Sequence, residues 1–509
     1  MQNHYQKLVF RLILIITIIK IIAACFLELG NDEAYYYTYA LQPDFSHFDH
    51  PPFVGFLIQL TTLNLHVVTD ATMRLGAIVG CAVSTWFIFK TGSIISSEKL
   101  GWLTAFIYNC SIYTGFIAGF FILPDSPQMP IYTAALYTML RIVLQEKNTS
   151  KNFLQLGLLI GAAALCKVHG LFLWVGFGLF ILLKKPILLR NVNVYFAILI
   201  TLVCLLPIVY WNIENNFITY TFHSERVSNT SLQWGMLLQE IVGEIAYQNP
   251  IVIIAIIIGI KYCIQHPLAF RKPILAWLLL MSLPMILLFW IIALFNPTLP
   301  HWSGPAYIPL YFIAAKYFEE KKIIFPILLK TAVSLLIIVL VAAIFLVQLA
   351  PFNLGSQEKE KFGEFCPTLD ISGWNNFGKK YQELFTADVA NKKMKATDPI
   401  LISKWFPGGH IRLYVATKTN QQVMAVGSLI DIHKFAWINK TEPNLQIGQN
   451  AYCIVPSNVP FNVFDAYKNY FTNIEAPVII PQIRGGKTVR NFYVYRLIDC
   501  KKIPEKTSF

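Results

Sequence analysis

Residues 8–52 read LVFRLILIITIIKIIAACFLELGNDEAYYYTYALQPDFSHFDHPP, and the change of character inside this stretch sets the architecture of the whole chain. From Leu8 to Leu27 the sequence is almost wholly apolar, and about 20 such residues are what a helix needs to cross the hydrocarbon core of a bilayer. Backbone groups in lipid must be satisfied within their own segment, so the run is expected to be helical. It then breaks abruptly into acids, tyrosines and histidines: Asp32, Glu33, Tyr35, Tyr36, Tyr37, Tyr39, His47, Asp49 and His50. A spanning helix that delivers a polar, chemistry-bearing loop to one membrane surface is the pattern to look for elsewhere.

Working outward, the pattern recurs. The chain has 509 residues, 55% hydrophobic and 14% charged, well below the roughly one-quarter charged residues of soluble domains. Apolar blocks near 8–27, 71–93, 100–118, 128–145, 153–166, 170–183, 193–211, 249–265, 274–295, 303–319 and 323–349 predict about eleven spans. The N-terminal run, with Lys7 and Arg11 ahead of it and Ile22-Ala23-Ala24-Cys25 at its end, shares features with signal peptides and lipoprotein cleavage boxes. Its length, and the many spans that follow, favour an uncleaved first transmembrane helix.

The net charge of +13 comes without a compact Lys/Arg patch interleaved with aromatics, so nucleic acid is not the expected partner. Bilayer topology explains the excess. With the N-terminus inside, inner connections carry Lys7, Arg11, Lys90, Lys99, Arg141, Lys147, Lys151, Lys184, Lys185, Arg190, Lys261, Arg271, Lys272, Lys316, Lys321 and Lys322. The outer ones carry only Arg74, Lys167 and Arg226, the asymmetry of the positive-inside rule. An odd number of spans then leaves residues 350–509 outside. On the same side fall Asp32, Glu33, Asp44, His47, Asp49, His50, Asp125, Lys167, His169, Glu214, His223, Glu225, Arg226, Glu240, Glu244 and His301. Solvated loops account for part of this gathering. They do not account for acids and histidines at helix ends, where burial is costly.

Within the first outer loop, Asn31 or Asp32 is placed to cap a short helix carrying the tyrosines. Pro51 and Pro52 suit the first turn of a second helix, about 51–66, that is too short to span and suits the interface. The tyrosines fit an interfacial belt, and equally a surface on which a sugar ring stacks. Residues 350–509 turn charged and turn-rich. Trp374 to Phe385 reads as an amphipathic helix, and Ile411 to Ala416, Gln422 to Val426 and Asn491 to Ile498 read as strands, which together make a small α/β domain. Trp405, Gly408, Gly409 and His410 form a loop there. Six of the nine cysteines lie in or beside apolar blocks as small buried hydrophobes; Cys366, Cys453 and Cys500 allow one disulfide if the tail is exported.

The Asp32-Glu33 pair followed by His47, Asp49, His50, Pro51 and Pro52 resembles the first outer loop of the GT-C glycosyltransferases. The closest branch is that of the protein O-mannosyltransferases and the lipid A aminoarabinose transferase. Leu123-Pro124-Asp125-Ser126-Pro127 resembles the PDAP segment of that branch, and Leu165-Cys166-Lys167-Val168-His169 its L-S-K-Y turn. Pro207 to Asn212 resembles its P-x-x-x-W-N stretch, and His301-Trp302-Ser303-Gly304-Pro305-Ala306-Tyr307 its N-W-x-x-P-A-Y loop. The turn departs from many relatives in carrying Lys167-Val168-His169, which bears on substrate identity rather than class.

The resemblance implies a polytopic all-α catalytic domain over 1–349 and a small extracytoplasmic domain over 350–509, in a bacterial-type cytoplasmic membrane. It implies transfer of a sugar from a polyprenyl-phosphate donor to a lipid, polysaccharide or protein acceptor on the outer face. Asp32 is then the general base, Glu33 orients the acceptor or the base, and direct displacement inverts the anomeric centre. The leaving phosphate needs positive charge, for which Lys167, Arg226, His50, His169 and His301 are the outer-side candidates. An ion pair with Glu225 is the bland reading of Arg226. Tyr36, Asp49, Asp125, Trp211 and Trp302 complete the expected substrate-binding set. A divalent metal held by Glu33, Asp125 and a histidine stays open as a cofactor, although no ligand spacing supports it. The rival from another class is a transporter or flippase for a lipid-linked sugar, which predicts mid-membrane polar residues and internal repeats; neither is evident. A scaffold with a decayed site is a further alternative, against which the intact Asp32-Glu33 and His50-Pro51-Pro52 argue.

Overall fold

The computed structural model describes residues 2–144, 150–227, 229–321 and 326–505, so that Lys147 and Lys322 of the inner charge set lie outside the described residues. The chain divides into two compact units, one of residues 1–25 and 44–338, the other of residues 26–43 and 339–509.

The first unit is helical, and every apolar segment anticipated within it forms helix. Together with the last helix, Ile327–Gln348, five helices among the described residues are long and apolar enough to cross a membrane unaided: His4–Phe26, Asp70–Ile95, Val192–Glu214, Ile274–Ala293 and Ile327–Gln348. Counting each bent pair as one span raises this to seven. The protein is a multi-pass membrane protein.

The bent pairs have local causes. Glu98–Cys110 gives way to a π-helical turn, Tyr113–Ile117, and the axis swings by 78°. Trp234–Gln248 and Pro250–Gln265 meet at 96° across Asn249, whose φ is +72°. Pro250 cannot donate a backbone hydrogen bond and disfavours helical geometry at the residue before it, which breaks the helix there. The Asn249 side chain repairs the break. Its oxygen accepts from the Ile251 N–H at 3.1 Å, and its amide donates to the carbonyls of Cys110 at 3.0 Å and Ala332 at 3.1 Å. Elsewhere small residues let helices touch. A methyl group on Gly92 would lie 2.6 Å from the Gly101 Cα, so the helices Asp70–Ile95 and Glu98–Cys110 approach backbone to backbone. The charged Lys20 in the first span is buried, its Nζ 3.0 Å from the Cys81 sulfur and donating to the Gly119 carbonyl at 3.1 Å.

The second unit holds the first loop helix, Asn31–Leu41, the end of the last span and the polar tail. Its sheet contains β1 (Ile400–Ile402), β2 (Val423–Ala425), β3 (Ala451–Pro456), β4 (Phe471–Ile474), β5 (Val478–Arg484) and β6 (Lys487–Cys500), in the order β2-β1-β3-β6-β4, with β5 paired to β6. β1 lies parallel to β2 and β3, whereas β6 is antiparallel to β3, β4 and β5. The amphipathic helix Trp374–Ala390 buries Trp374, Phe377, Tyr381 and Phe385.

Four details differ from expectation. Ile411–Ala416 is a π-helical segment rather than a strand. It continues the helix Trp405–His410, itself expected as a loop, with no turn residue between them; six alternating residues are too few to separate the two periods. Gly30, not Asn31 or Asp32, caps the first loop helix, because Glu33 reaches back to its N–H. The second loop helix is only Phe53–Thr61, since Leu63, Asn64 and Leu65 take positive φ and end it. Cys366, Cys453 and Cys500, among which the sequence allows one disulfide, are free and buried.

Candidate functional site

In the first unit the outer-side motifs converge on one buried ion pair. The turn 165–169 ends the helix Ser150–Cys166 and sends Lys167 against Asp125, the first residue of the helix Asp125–Leu144. The Lys167 Nζ lies 3.0 and 2.9 Å from the two Asp125 carboxylate oxygens, and both side chains are about 95% buried. Tyr113, from the π-helical turn, donates its hydroxyl to the same carboxylate at 2.7 Å. Gln128, one turn along from Asp125, donates to the carbonyls of Ala163 at 3.0 Å and Lys167 at 2.7 Å, which fixes the lysine backbone. An anion at a helix N-terminus is favoured by the helix dipole, and the acid position follows from that.

Histidines ring this pair. His50 and His301 both lie within electrostatic reach of Lys167 and Asp125. Burial holds each imidazole down to about 4, outweighing the carboxylates that pull the other way, and the Lys167 charge adds to the shift. Both are therefore neutral at pH 7. The His169 ring packs edge-on to Phe289 at 5.3 Å and beside Trp302 at 6.3 Å. Its Nδ1 is buried with no hydrogen-bond partner among the described residues. Arg226 holds its guanidinium 5.5 Å from the ring centres of both Phe222 and Trp302, which supplies a contact beyond the Glu225 pairing considered above. Asp49 offers its carbonyl to His223 Nε2 at 3.2 Å, and Phe48 packs on Phe222 at 4.6 Å. Trp211 is buried and donates to Asp44 at 2.9 Å, a bond that ties the start of the loop to the helix Val192–Glu214.

Residues outside the expected set complete this arrangement. Glu244 accepts from Trp290 at 2.7 Å, from Tyr307 at 2.9 Å and from the Ser303 hydroxyl, and so clamps the 301–307 loop from both ends. Gly304 in that loop sits so close over the Tyr113 ring that no β-carbon fits, and Tyr113 in turn holds Asp125. Glu240, Glu244 and Gln248 recur every four residues, a buried polar stripe on the helix Trp234–Gln248. That spacing was the available signal.

Asp32 and Glu33 belong to the second unit, together with Tyr36. They open the helix Asn31–Leu41, where acids suit the N-terminus. Asp32 is exposed; Glu33 is buried and accepts from the Gly30 N–H at 2.9 Å, the reach-back half of a capping box. The segment before the helix is pinned by the tail. Glu28 accepts from the Trp374 N–H at 2.7 Å and the Asn375 N–H at 3.0 Å, and the Leu29 N–H donates to Tyr414 Oη at 2.8 Å. His410 Nε2 lies 3.0 Å from the Leu29 carbonyl. Burial pushes this histidine down to about 3, so it is neutral and donates that N–H. Gly409 abuts the helix backbone; an added methyl group would stand 2.8 Å from the Tyr35 nitrogen. Tyr36 is buried among Tyr35 and Tyr39. Among the described residues no group of three or more His, Cys, Asp or Glu side chains is arranged to hold a metal ion, and both Asp125 oxygens are engaged by Lys167.

Residues 49–211, which hold Asp49, His50, Asp125, Lys167, His169 and Trp211, match the family model described as dolichyl-phosphate-mannose-protein mannosyltransferase. ArnT from Cupriavidus metallidurans bound to undecaprenyl phosphate superposes with a TM-score of 0.61, at 14% identity, over 97% of this chain and 98% of ArnT. The chain has the fold of ArnT. ArnT in the apo state matches the chain over the same shares, with a TM-score of 0.59 and 12% identity. A curated relative, the lipid A galacturonosyltransferase RgtD of Rhizobium johnstonii, is 22% identical over 280 residues, 54% of this chain and 58% of RgtD. The match thus spans little more than half the length of that relative.

Proposed function

We propose that the chain is an inverting glycosyltransferase of the cytoplasmic membrane that takes a sugar from a polyprenyl-phosphate donor and passes it to an acceptor on the outer face. In this reading about eleven spans place residues 350–509 outside. The carrying observation is the buried Lys167–Asp125 pair, braced by Tyr113 and Gln128 and ringed by His50, His169 and His301. A lysine ammonium has donor capacity beyond the Asp125 contact, and that is what a leaving phosphate monoester needs. ArnT, of the same fold, is a structure bound to undecaprenyl phosphate, which supports that class of lipid carrier. His50 and His301, being neutral, offer hydrogen bonds rather than further charge. Arg226, stacked on Trp302, is the second cation assigned to the phosphate.

Asp32, exposed at the start of its helix, takes the proton of the acceptor hydroxyl as the acceptor oxygen attacks C1 of the sugar. The C1–O bond to the phosphate breaks as the new bond forms, and the configuration inverts. Glu33 serves through the helix cap, holding Asp32 in place. Tyr36 and Asp49 remain in the proposed substrate-binding set, while Trp211 acts through Asp44. The acceptor is a cell-envelope lipid, polysaccharide or protein, and the sugar a hexose or pentose. Titration of the detergent-purified protein with undecaprenyl phosphate, read by native mass spectrometry, tests the phosphate site. The expected result is saturable binding that Lys167→Ala weakens and Lys185→Ala leaves intact. Equal binding by the wild type and Lys167→Ala overturns the assignment.

A further inference from the structure

The end of the last span and the tail share an apolar surface with an unusual composition. β5 is an edge strand, bonded among the described residues to β6 alone. Along it Ile480, Gln482 and Arg484 point inward, while Ile479, Pro481 and Ile483 alternate outward. Ile479 and Ile483 are more than half exposed. An apolar, exposed edge strand is an aggregation liability unless something covers it. Arg484, at the tip of the strand, ties this edge to the last span. Its guanidinium donates to the carbonyls of Val347 at 2.9 Å, Ala350 at 2.7 Å and Phe352 at 2.7 Å, and to the Thr368 hydroxyl at 3.2 Å. The Val347 carbonyl is one of the orphan carbonyls at the C-terminus of the helix Ile327–Gln348, where a cation is doubly favoured, and the other two belong to the segment that follows it. Gly485 packs against Pro351 and the Leu349 carbonyl in the same corner.

The next turn adds to the surface. The Leu354 N–H points to the sulfur of Cys366, the residue after Phe365, at 3.1 Å. Phe365 has φ +63°, uncommon for a bulky residue, and its ring is 88% exposed. Phe352 and Leu354 are about half exposed as well. Toward the membrane lie Val341, Ile344 and Phe345 of the spanning helix and Leu349 just past its end, all exposed as lipid-facing residues are.

We propose that Phe352, Leu354, Phe365 and the outer face of β5 form a footing that lies in the bilayer interface where the last span leaves it, with phospholipid as the occupant. Continuity with the span names the occupant: a protein partner there would have to displace the lipid that already coats Phe345 and Leu349. Aromatic and branched apolar side chains at the level of the headgroups are what such a footing requires. The footing holds the tail at a fixed height independently of any transfer chemistry.

The far end of β6 provides the control. Ile447 is as exposed as Ile483, but it adjoins Gly448, whose N–H donates to the Cys500 carbonyl at 2.9 Å. Cys500 stands the full length of β6 from Lys487, roughly 40 Å of strand. The photo-crosslinking residue p-benzoylphenylalanine, placed singly at 365, 483 or 447, is irradiated in the full-length protein in nanodiscs of phosphatidylethanolamine and phosphatidylglycerol. Phospholipid adducts are then read by mass spectrometry. The expected result is adducts at 365 and 483 and none above background at 447. Adduct levels at 365 or 483 no higher than at 447 overturn the proposal.

Discussion

Asp32 and Glu33 are neighbours with different surroundings, and the difference separates their roles. Glu33 is buried with its carboxylate on the Gly30 N–H, so Glu33→Ala removes a helix cap and costs about 1 kcal/mol of stability. A fall in the thermal midpoint of the purified protein checks this. Asp32 is exposed, and Asp32→Asn is expected to lower transfer by about 10²-fold or more with an unchanged midpoint; retained transfer removes it as the base. Lys167→Ala is expected to lower transfer by about 10²- to 10³-fold. Lys185, bonded to the Val143 carbonyl, is the neutral comparison. The histidines give a pH signature. His50 and His301 are held at about 4 in the folded protein, against 6.5 when free. The unfolded chain therefore binds protons that the folded one refuses, and stability is lost as pH falls from about 6.5 toward 4. The expected outcome is a thermal midpoint that declines over this window, less steeply in His50→Asn. An identical slope in the variant contradicts it.

Helices and turns carry these residues, and here sequence and structure part company in instructive ways. The apolar segments were legible because a spanning helix needs only length and apolarity, properties that one stretch displays by itself. The polar segments 123–127, 165–169 and 301–307 were legible as motifs, yet what holds them together was not. Glu244 reads as one more outer acid, and only the fold shows it gripping Ser303, Tyr307 and Trp290. Glu28 and His410 are far apart in sequence and meet around Leu29 and the start of the helix Trp374–Ala390. Ile411–Ala416 differs from the strand expected because a largely buried helical turn and a short strand carry the same residues. Gly409 supplies the test at this scale. Gly409→Val forces the helix Trp405–His410 off the backbone of the helix Asn31–Leu41. The expected result is loss of transfer together with new proteolytic cleavage near residue 30, while Gly178→Ala, where a methyl group meets open space, changes neither. Unaltered transfer in Gly409→Val would remove the contact from the account.

At the scale of the whole molecule, the proposed arrangement is a helical membrane unit that holds the phosphate site and a second unit that holds the base. The charge asymmetry predicts that a reporter fused after Phe509 is active on the exported side; activity in the cytoplasm breaks the topology. The central claim is that one sugar is transferred from a lipid carrier to an envelope acceptor. Mass spectrometry of envelope lipids, polysaccharides and proteins tests it most directly, in a strain lacking the gene and complemented with either the wild type or Asp32→Asn. The account predicts that one acceptor loses the mass of a single sugar in the deletion strain. The polyprenyl-phosphate sugar accumulates there, and only the wild type restores the acceptor. Full restoration by Asp32→Asn, or an acceptor pool that does not change on deletion, would contradict it.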